Sequence, residues 1–231
     1  MNALMNLLNT SPTLIVSLPR NSLELAKAAV KAGADVLKVH IHVHHEASGT
    51  KFGSLAEERE VLQRIVALGT PTAIVIGAGD DIANPDEMER IQQMGFQAFD
   101  AYAHYLPPWM YKLTGIAKMA AVDGGYTPEA ARDLQGLGMD ILEAAIVPAA
   151  EYGKPMQPQD LVAYKALRAA VSVPIVVPTQ RKIKVEDVPA LFDGCEINAL
   201  MIGAIVTGSE AKTIFDATKR FKQALNDLMV E

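Results

Sequence analysis

The 231-residue chain has a single cysteine, Cys195, which excludes an intrachain disulfide and a cysteine-ligated metal cluster. With so little thiol, a cytoplasmic setting is the simplest reading. No apolar run reaches the ~18 residues of a membrane span. The opening "MNALMNLLNTSP" lacks the basic start and long apolar core of a secretory signal. Cations are in deficit: 21 Lys and Arg against 27 Asp and Glu leave a net charge of −6. That balance argues against a nucleic-acid or anionic-membrane partner, although a local group of cations can still hold an anionic metabolite. No glycine-rich GxGxxG turn follows the first apolar run, and no low-complexity segment or linker-like shift in composition breaks the chain. Histidine is scarce, five in all, yet four of them fall in "LKVHIHVHHE", Leu37 to Glu46.

What is present is a regular alternation. Eight β-rich runs, "TLIVSLP", "DVLKVHIHV", "PTAIVIGAG", "FQAFDAYAHY", "GIAKMAAVD", "DILEAAIVP", "PIVVPTQ" and "ALMIGAIV", are each followed by an amphipathic segment. The segment around Trp109 is the shortest of these. Ser22, Ser54 and Thr127 are placed to cap helices, and Gly33, Gly69, Gly95 and Gly138 to end them. Eight strand–helix units in this length predict one (β/α)8 TIM barrel over residues 1–231. A doubly wound open sheet is the competing architecture; it lacks the glycine turn that would support it.

In a barrel the helix-facing side of each strand is apolar, and alternation assigns the other side to the interior. In the second run Leu37, Val39, Ile41 and Val43 form the apolar set, so Lys38, His40 and His42 point inward: Lys38 mid-barrel, His40 near the top, His42 at the rim. His44 and His45 then fall in the loop that follows. In the fourth run Asp100, Tyr102 and His104 face inward, and in the sixth Glu143. The fifth offers Lys118 or Asp123, whose odd spacing lets only one face in. Ser17 closes the first. Unpaired buried charges cost several kcal/mol each, so this interior should pair internally or meet a ligand. Lys38, His40, Asp100, Tyr102 and Glu143 are therefore the candidate catalytic residues.

The HxH pair admits a second reading, a divalent metal held by His40, His42 and His104 in a hydrolase. It lacks the further histidines and the last-strand acid that such sites use. The segment "EASGTKFGS", with Gly49 and Gly53 about Lys51, reads either as a flap over a ligand or as a polar loop. At the other side, Gly203 ends the last strand and a helix begins shortly after. Backbone N–H groups at such a turn hold phosphate. Thr179, Gln180, Arg181, Lys182 and Lys184 in the loop after strand seven add donors and cations. Ser17, Thr179, Gln180, Lys182, Gly203 and Ala204 are the candidate phosphate-binding set.

From "YTPEAARDLQGLGMDIL" through "AAEYGKPMQPQDLVAYKALRAAVSVPIVVPTQ" to "ALMIGAIVTGSEAKTIFDATKRF", the chain resembles the ribulose-phosphate-binding barrels, most of all N-acetylmannosamine-6-phosphate 2-epimerases. "LIVSLP" and "VALGTPTAIVI" fit the same layout. The resemblance implies a phosphate contact at Gly203 and Ala204 and a phosphosugar-like ligand. Lys38 stands where those epimerases carry arginine. No lysine follows the third strand, where Asp80 and Asp81 stand instead. The family's strand-four acid falls near Tyr102, two residues after Asp100, and its strand-seven acid near Pro178.

The expectation is thus an enzyme acting on a small phosphorylated sugar or related metabolite, by isomerisation, epimerisation or enolate-type lyase chemistry, with no cofactor required. The alternatives are the metal-dependent hydrolase and a non-catalytic phosphometabolite-binding barrel. Barrels of this type often form homodimers.

Overall fold

The computed structural model describes residues 2–229. Eight parallel strands form a closed barrel: β1 (Thr13–Ser17), β2 (Val36–His40), β3 (Thr72–Val75), β4 (Ala98–Tyr102), β5 (Ala117–Val122), β6 (Ile141–Ala144), β7 (Ile175–Pro178) and β8 (Ala199–Ile202), each beside its neighbour in sequence, with β8 closing on β1. The helices α2 (Leu23–Lys31), α3 (Leu55–Val66), α4 (Pro85–Gln93), α5 (Pro128–Leu137), α6 (Pro158–Ala170) and α7 (Val188–Cys195) follow β1, β2, β3, β5, β6 and β7; α8 (Ala204–Thr207) and α9 (Ala211–Asp227) follow β8. The chain is a (β/α)8 barrel, as the alternation predicts. Among the described residues no helix is long and apolar enough to cross a membrane.

The helices begin where their caps place them. Ser22, Ser54 and Thr127 each accept a hydrogen bond from the backbone N–H three residues on. Gly33, Gly69, Gly95 and Gly138 all have positive φ, between 80° and 112°. One expectation fails. The segment around Trp109 is not an α-helix but two 3-10 turns, Ala103–Tyr105 and Pro108–Lys112. Pro107 and Pro108 disfavour helical backbone before them and remove two N–H donors, so no α-helix runs from β4 through this stretch.

The lowest interior layer explains why the barrel needs an extra helix. Ala73, Ala98, Ala117 and Ala199 point inward there and leave space that their small side chains cannot fill. Leu4 and Leu8 of α1 (Ala3–Thr10), 0% and 1% exposed, fill it from below, packed with Ile15, Val36 and Met119. The base is shut, and the barrel opens at the opposite end, where strands end and loops begin. Two small antiparallel ribbons stand there: His44–His45 with Thr50–Lys51, and Gly77–Ala78 with Asp81–Ile82.

Candidate active site

One layer above the alanines the interior becomes charged. Lys38, Asp100 and Glu143 reach the axis from β2, β4 and β6 and are 4%, 2% and 6% exposed. Lys38 Nζ donates to Glu143 Oε2 at 2.6 Å and contacts Asp100 Oδ2 more closely still. Asp100 Oδ1 has no hydrogen-bond partner. Burial works against the Lys38 ammonium, but the two carboxylates outweigh it and hold its pKa above the ordinary value. Burial and the neighbouring Glu143 push Asp100 well up. Burial also opposes ionised Glu143, yet Lys38 keeps it below the usual range. Two acids share one ammonium, and their surroundings push them in opposite directions, Asp100 up and Glu143 down.

His40 sits on the same strand as Lys38, 1% exposed. Its Nε2 lies 3.5 Å from Ser17 Oγ, and its Nδ1 has no partner. Burial, with the nearby His45 and Lys38, pushes its pKa well down, so the ring is neutral. Above this layer a cavity of about 820 Å³ opens. Ser17, Tyr102, His104, Thr179, Gln180, Gly203 and Ala204 line it, so these expected residues do converge on one site. On the fifth run it is Asp123, just past β5, that lines the cavity; Lys118 faces out and pairs with Asp140 at 2.7 Å.

Two expectations are corrected. His42 does not face the barrel. Its φ of 55° turns the chain as β2 ends, and the side chain leaves for Asp81 (Nδ1 to Oδ1, 2.8 Å) and Glu87 (Nε2 to Oε1, 2.9 Å). Alternation assumes extended backbone, and the left-handed residue breaks it. His40, His42 and His104 therefore do not converge, and no group of three or more side chains fit to hold a metal ion occurs among the described residues. Lys182 is exposed and does not line the cavity. The loop after β7 is pinned by its neighbour Arg181, which grips Asp160 through Nε and Nη2 (3.0 and 3.1 Å) and Glu151 through Nη1 (2.9 Å).

The same turn brings in a residue that strand periodicity missed. His45, expected in the loop with His44, returns over the site on the first ribbon; its ring lies 4.6 Å from that of His40. Phe52, just beyond the ribbon's second strand, stacks on His40 at 4.6 Å. Burial and Lys38 lower the His45 pKa to about 4. His44, Glu46 and Ala47 line the cavity beside it, so this segment forms one wall. Tyr152 is a second omission. It stands in the loop after β6, where no periodicity applies, and Gln180 Nε2 donates to its hydroxyl at 2.7 Å.

At the β7–β8 side, Thr179 Oγ1 accepts from the N–H of Gly203 at 3.0 Å and fixes the turn. The amides of Ala204 and Ile205 open α8 and, by helix geometry, have no acceptor inside it. Ser17 packs beside Gly203, where a Cβ would lie 3.7 Å from that of Ser17.

No family model and no curated protein matches the sequence. Solved structures do match. A tryptophan synthase chain from Mycobacterium tuberculosis aligns with a TM-score of 0.74 at 12% identity, over 95% of this chain and 96% of that one. KGPDC from Streptococcus mutans, solved as a ligand complex, gives 0.69 at 18% identity, over 94% and 98%. Phosphoribosyl anthranilate isomerase from Thermus thermophilus gives 0.64 at 16%, over 91% and 98%. The likeness is one of fold, and it spans nearly the whole of each chain.

Proposed function

We propose that this barrel is an enzyme that removes and returns a proton next to the carbonyl of a small phosphorylated metabolite. That step is common to sugar-phosphate isomerases, epimerases and enolate-type lyases. The observation that carries the reading is the buried Lys38–Asp100–Glu143 cluster at the floor of an open cavity, with Asp100 Oδ1 unpartnered. Asp100 is the general acid–base: a carboxyl with its pKa raised by burial and a like charge suits proton transfer near neutral pH. Lys38 stabilises the oxyanion. Its ammonium is held charged by two acids, which fits electrostatic stabilisation and does not fit a Schiff base, where a lowered pKa is needed. Glu143 aims Lys38. His40, kept neutral, offers an uncharged donor or acceptor beside the reacting carbon. The phosphate sits at the Gly203–Ala204 turn with Ser17 and Thr179, and the proton moves between groups of the chain itself, so no cofactor is required.

The fold likeness to KGPDC and to phosphoribosyl anthranilate isomerase is consistent with this reading. The test is a thermal-shift screen of phosphorylated sugars and related carbonyl phosphates, then incubation of each hit in deuterium oxide. We expect deuterium at the carbon next to the carbonyl, lost at least a hundredfold in Asp100→Asn and in Lys38→Met. Unchanged exchange in both variants would reject the assignment.

A further inference from the structure

Gln180, in the loop after β7, is buried, and its amide is engaged inside the chain. Its Oε1 accepts from the N–H of Val147 at 3.0 Å, while Nε2 donates to the carbonyl of Ala145 at 3.2 Å and to the Tyr152 hydroxyl at 2.7 Å. A backbone N–H can only donate and a backbone carbonyl can only accept, so the amide has one orientation. Both protons of Nε2 are spent, and the side chain has no donor left for a phosphate.

The fixed amide in turn fixes the phenol. Tyr152 Oη accepts from Nε2, so its own proton points elsewhere. The Tyr102 hydroxyl stands beside it. Burial raises the pKa of both phenols; the contact between them adds to the rise for Tyr102 and opposes it for Tyr152, as follows when Tyr102 donates and Tyr152 accepts. With both acceptor positions of Oη filled, the Tyr152 proton finds no acceptor among the described residues and faces the cavity that its ring lines. The ring is held there by its loop. The N–H of Gly153 donates to the Gln180 carbonyl at 2.9 Å, the N–H of Lys182 to the Lys154 carbonyl at 2.8 Å, and Arg181 grips Glu151. The loops after β6 and β7 are thus tied together, and the donor is in place before a ligand arrives.

The floor has a matching donor. Lys38 Nζ carries three protons, of which Asp100 and Glu143 take two. The charge of Glu143 also bears on Tyr152, which sets the phenol near the acid that holds Lys38. Two donors, one cationic and one neutral, are therefore open to the same cavity.

We infer that Tyr152, aimed by Gln180, is a second donor to the carbonyl oxygen of the substrate, acting with Lys38 as that oxygen gains charge. Gln180 is a positioning residue and not a phosphate ligand. This inference rests on the reading above of a phosphorylated carbonyl substrate and adds to it the group that recognises the carbonyl.

The probes are acetonyl phosphate, propyl phosphate and inorganic phosphate, measured by calorimetry on the full chain. The two esters differ by one carbonyl oxygen, and acetonyl phosphate is expected to bind about tenfold more tightly. Tyr152→Phe should reduce that preference about fivefold and leave propyl phosphate and inorganic phosphate unchanged. Gln180→Glu keeps an acceptor for Val147 but offers Tyr152 an acceptor in place of a donor, which turns the phenol proton away from the cavity. It should lower the preference as far as Tyr152→Phe does, although the hydroxyl is retained, and the two losses should not add in the double variant. Tyr102→Phe should keep the preference within about twofold. Equal affinity for the two esters, or a preference that survives Tyr152→Phe, overturns the carbonyl donor and leaves the phosphate reading standing. A loss in Tyr102→Phe as large as that in Tyr152→Phe overturns the assignment of the free proton to Tyr152. A preference that survives Gln180→Glu, or losses that add, overturns the positioning role of Gln180. If none of the three probes binds, both readings fall together.

Discussion

At the scale of the residue, the Lys38 layer makes opposite demands on its two acids, and substitution should separate them. The folded-state pKa of Asp100 is raised, so this group favours the fold at pH values below its unfolded pKa and loses that advantage as pH rises through the folded value. At neutral pH the buried carboxyl is therefore a burden to the fold. Asp100→Asn should raise the midpoint of thermal unfolding at pH 7 while removing turnover, and the gain should vanish in acid. A lower midpoint at pH 7 would contradict the sign. Lys38→Met strands both carboxylates and should cost about 3–5 kcal/mol, less below pH ~4, where carboxylates take up protons. Denaturant titration of the variant at pH 7 and at pH 4 measures both. The cluster was legible in the sequence because alternation within β2, β4 and β6 is unbroken there, so one apolar face identified the other. His42 and His45 were not legible. A single left-handed residue after β2 exchanges their fates, and no local pattern in "HIHVHHE" distinguishes a strand that continues from one that turns.

At the scale of the element, the devices that were read correctly are local: capping side chains three residues from their donors, and glycines at positive φ. Those that were missed are tertiary. The β7 loop looked like a basic phosphate clamp, but Arg181 folds back onto Asp160 and Glu151, a pairing between β7's loop and the β6–α6 region that composition cannot reveal. The role of α1 was likewise invisible, since its partners are alanines scattered over four strands. That packing makes a prediction. Leu8→Ala removes a side chain that is 1% exposed and should cost about 2–5 kcal/mol, read from the urea midpoint. A loss under about 0.5 kcal/mol would mean that the layer collapses around the gap.

At the scale of the whole molecule, the buried histidines should weaken the fold in mild acid. Neutral His45 is favoured in the fold, with a pKa near 4 against an ordinary 6.5. Through that interval the unfolded chain binds the proton and the folded chain does not, so stability falls as pH drops from about 6.5 to about 4. His40 adds to the same slope, as does Glu143 further into acid, while Asp100 opposes it. His45→Asn should flatten the dependence between pH 6.5 and 4 in urea midpoints taken at half-unit steps. An identical slope in the variant would show that His45 titrates as freely in the fold as in the unfolded chain. The fold itself was legible because eight repetitions of strand and helix are a property of the entire chain, robust to any one segment failing, as the stretch around Trp109 did.

The helix that shuts the base of the barrel has a consequence for traffic. With Leu4 and Leu8 closing the lower end, whatever enters must leave by the mouth it came through, past His45 and Tyr105. Incoming and outgoing molecules then compete for one doorway, and accumulated product should slow turnover as a competitive inhibitor of its own precursor.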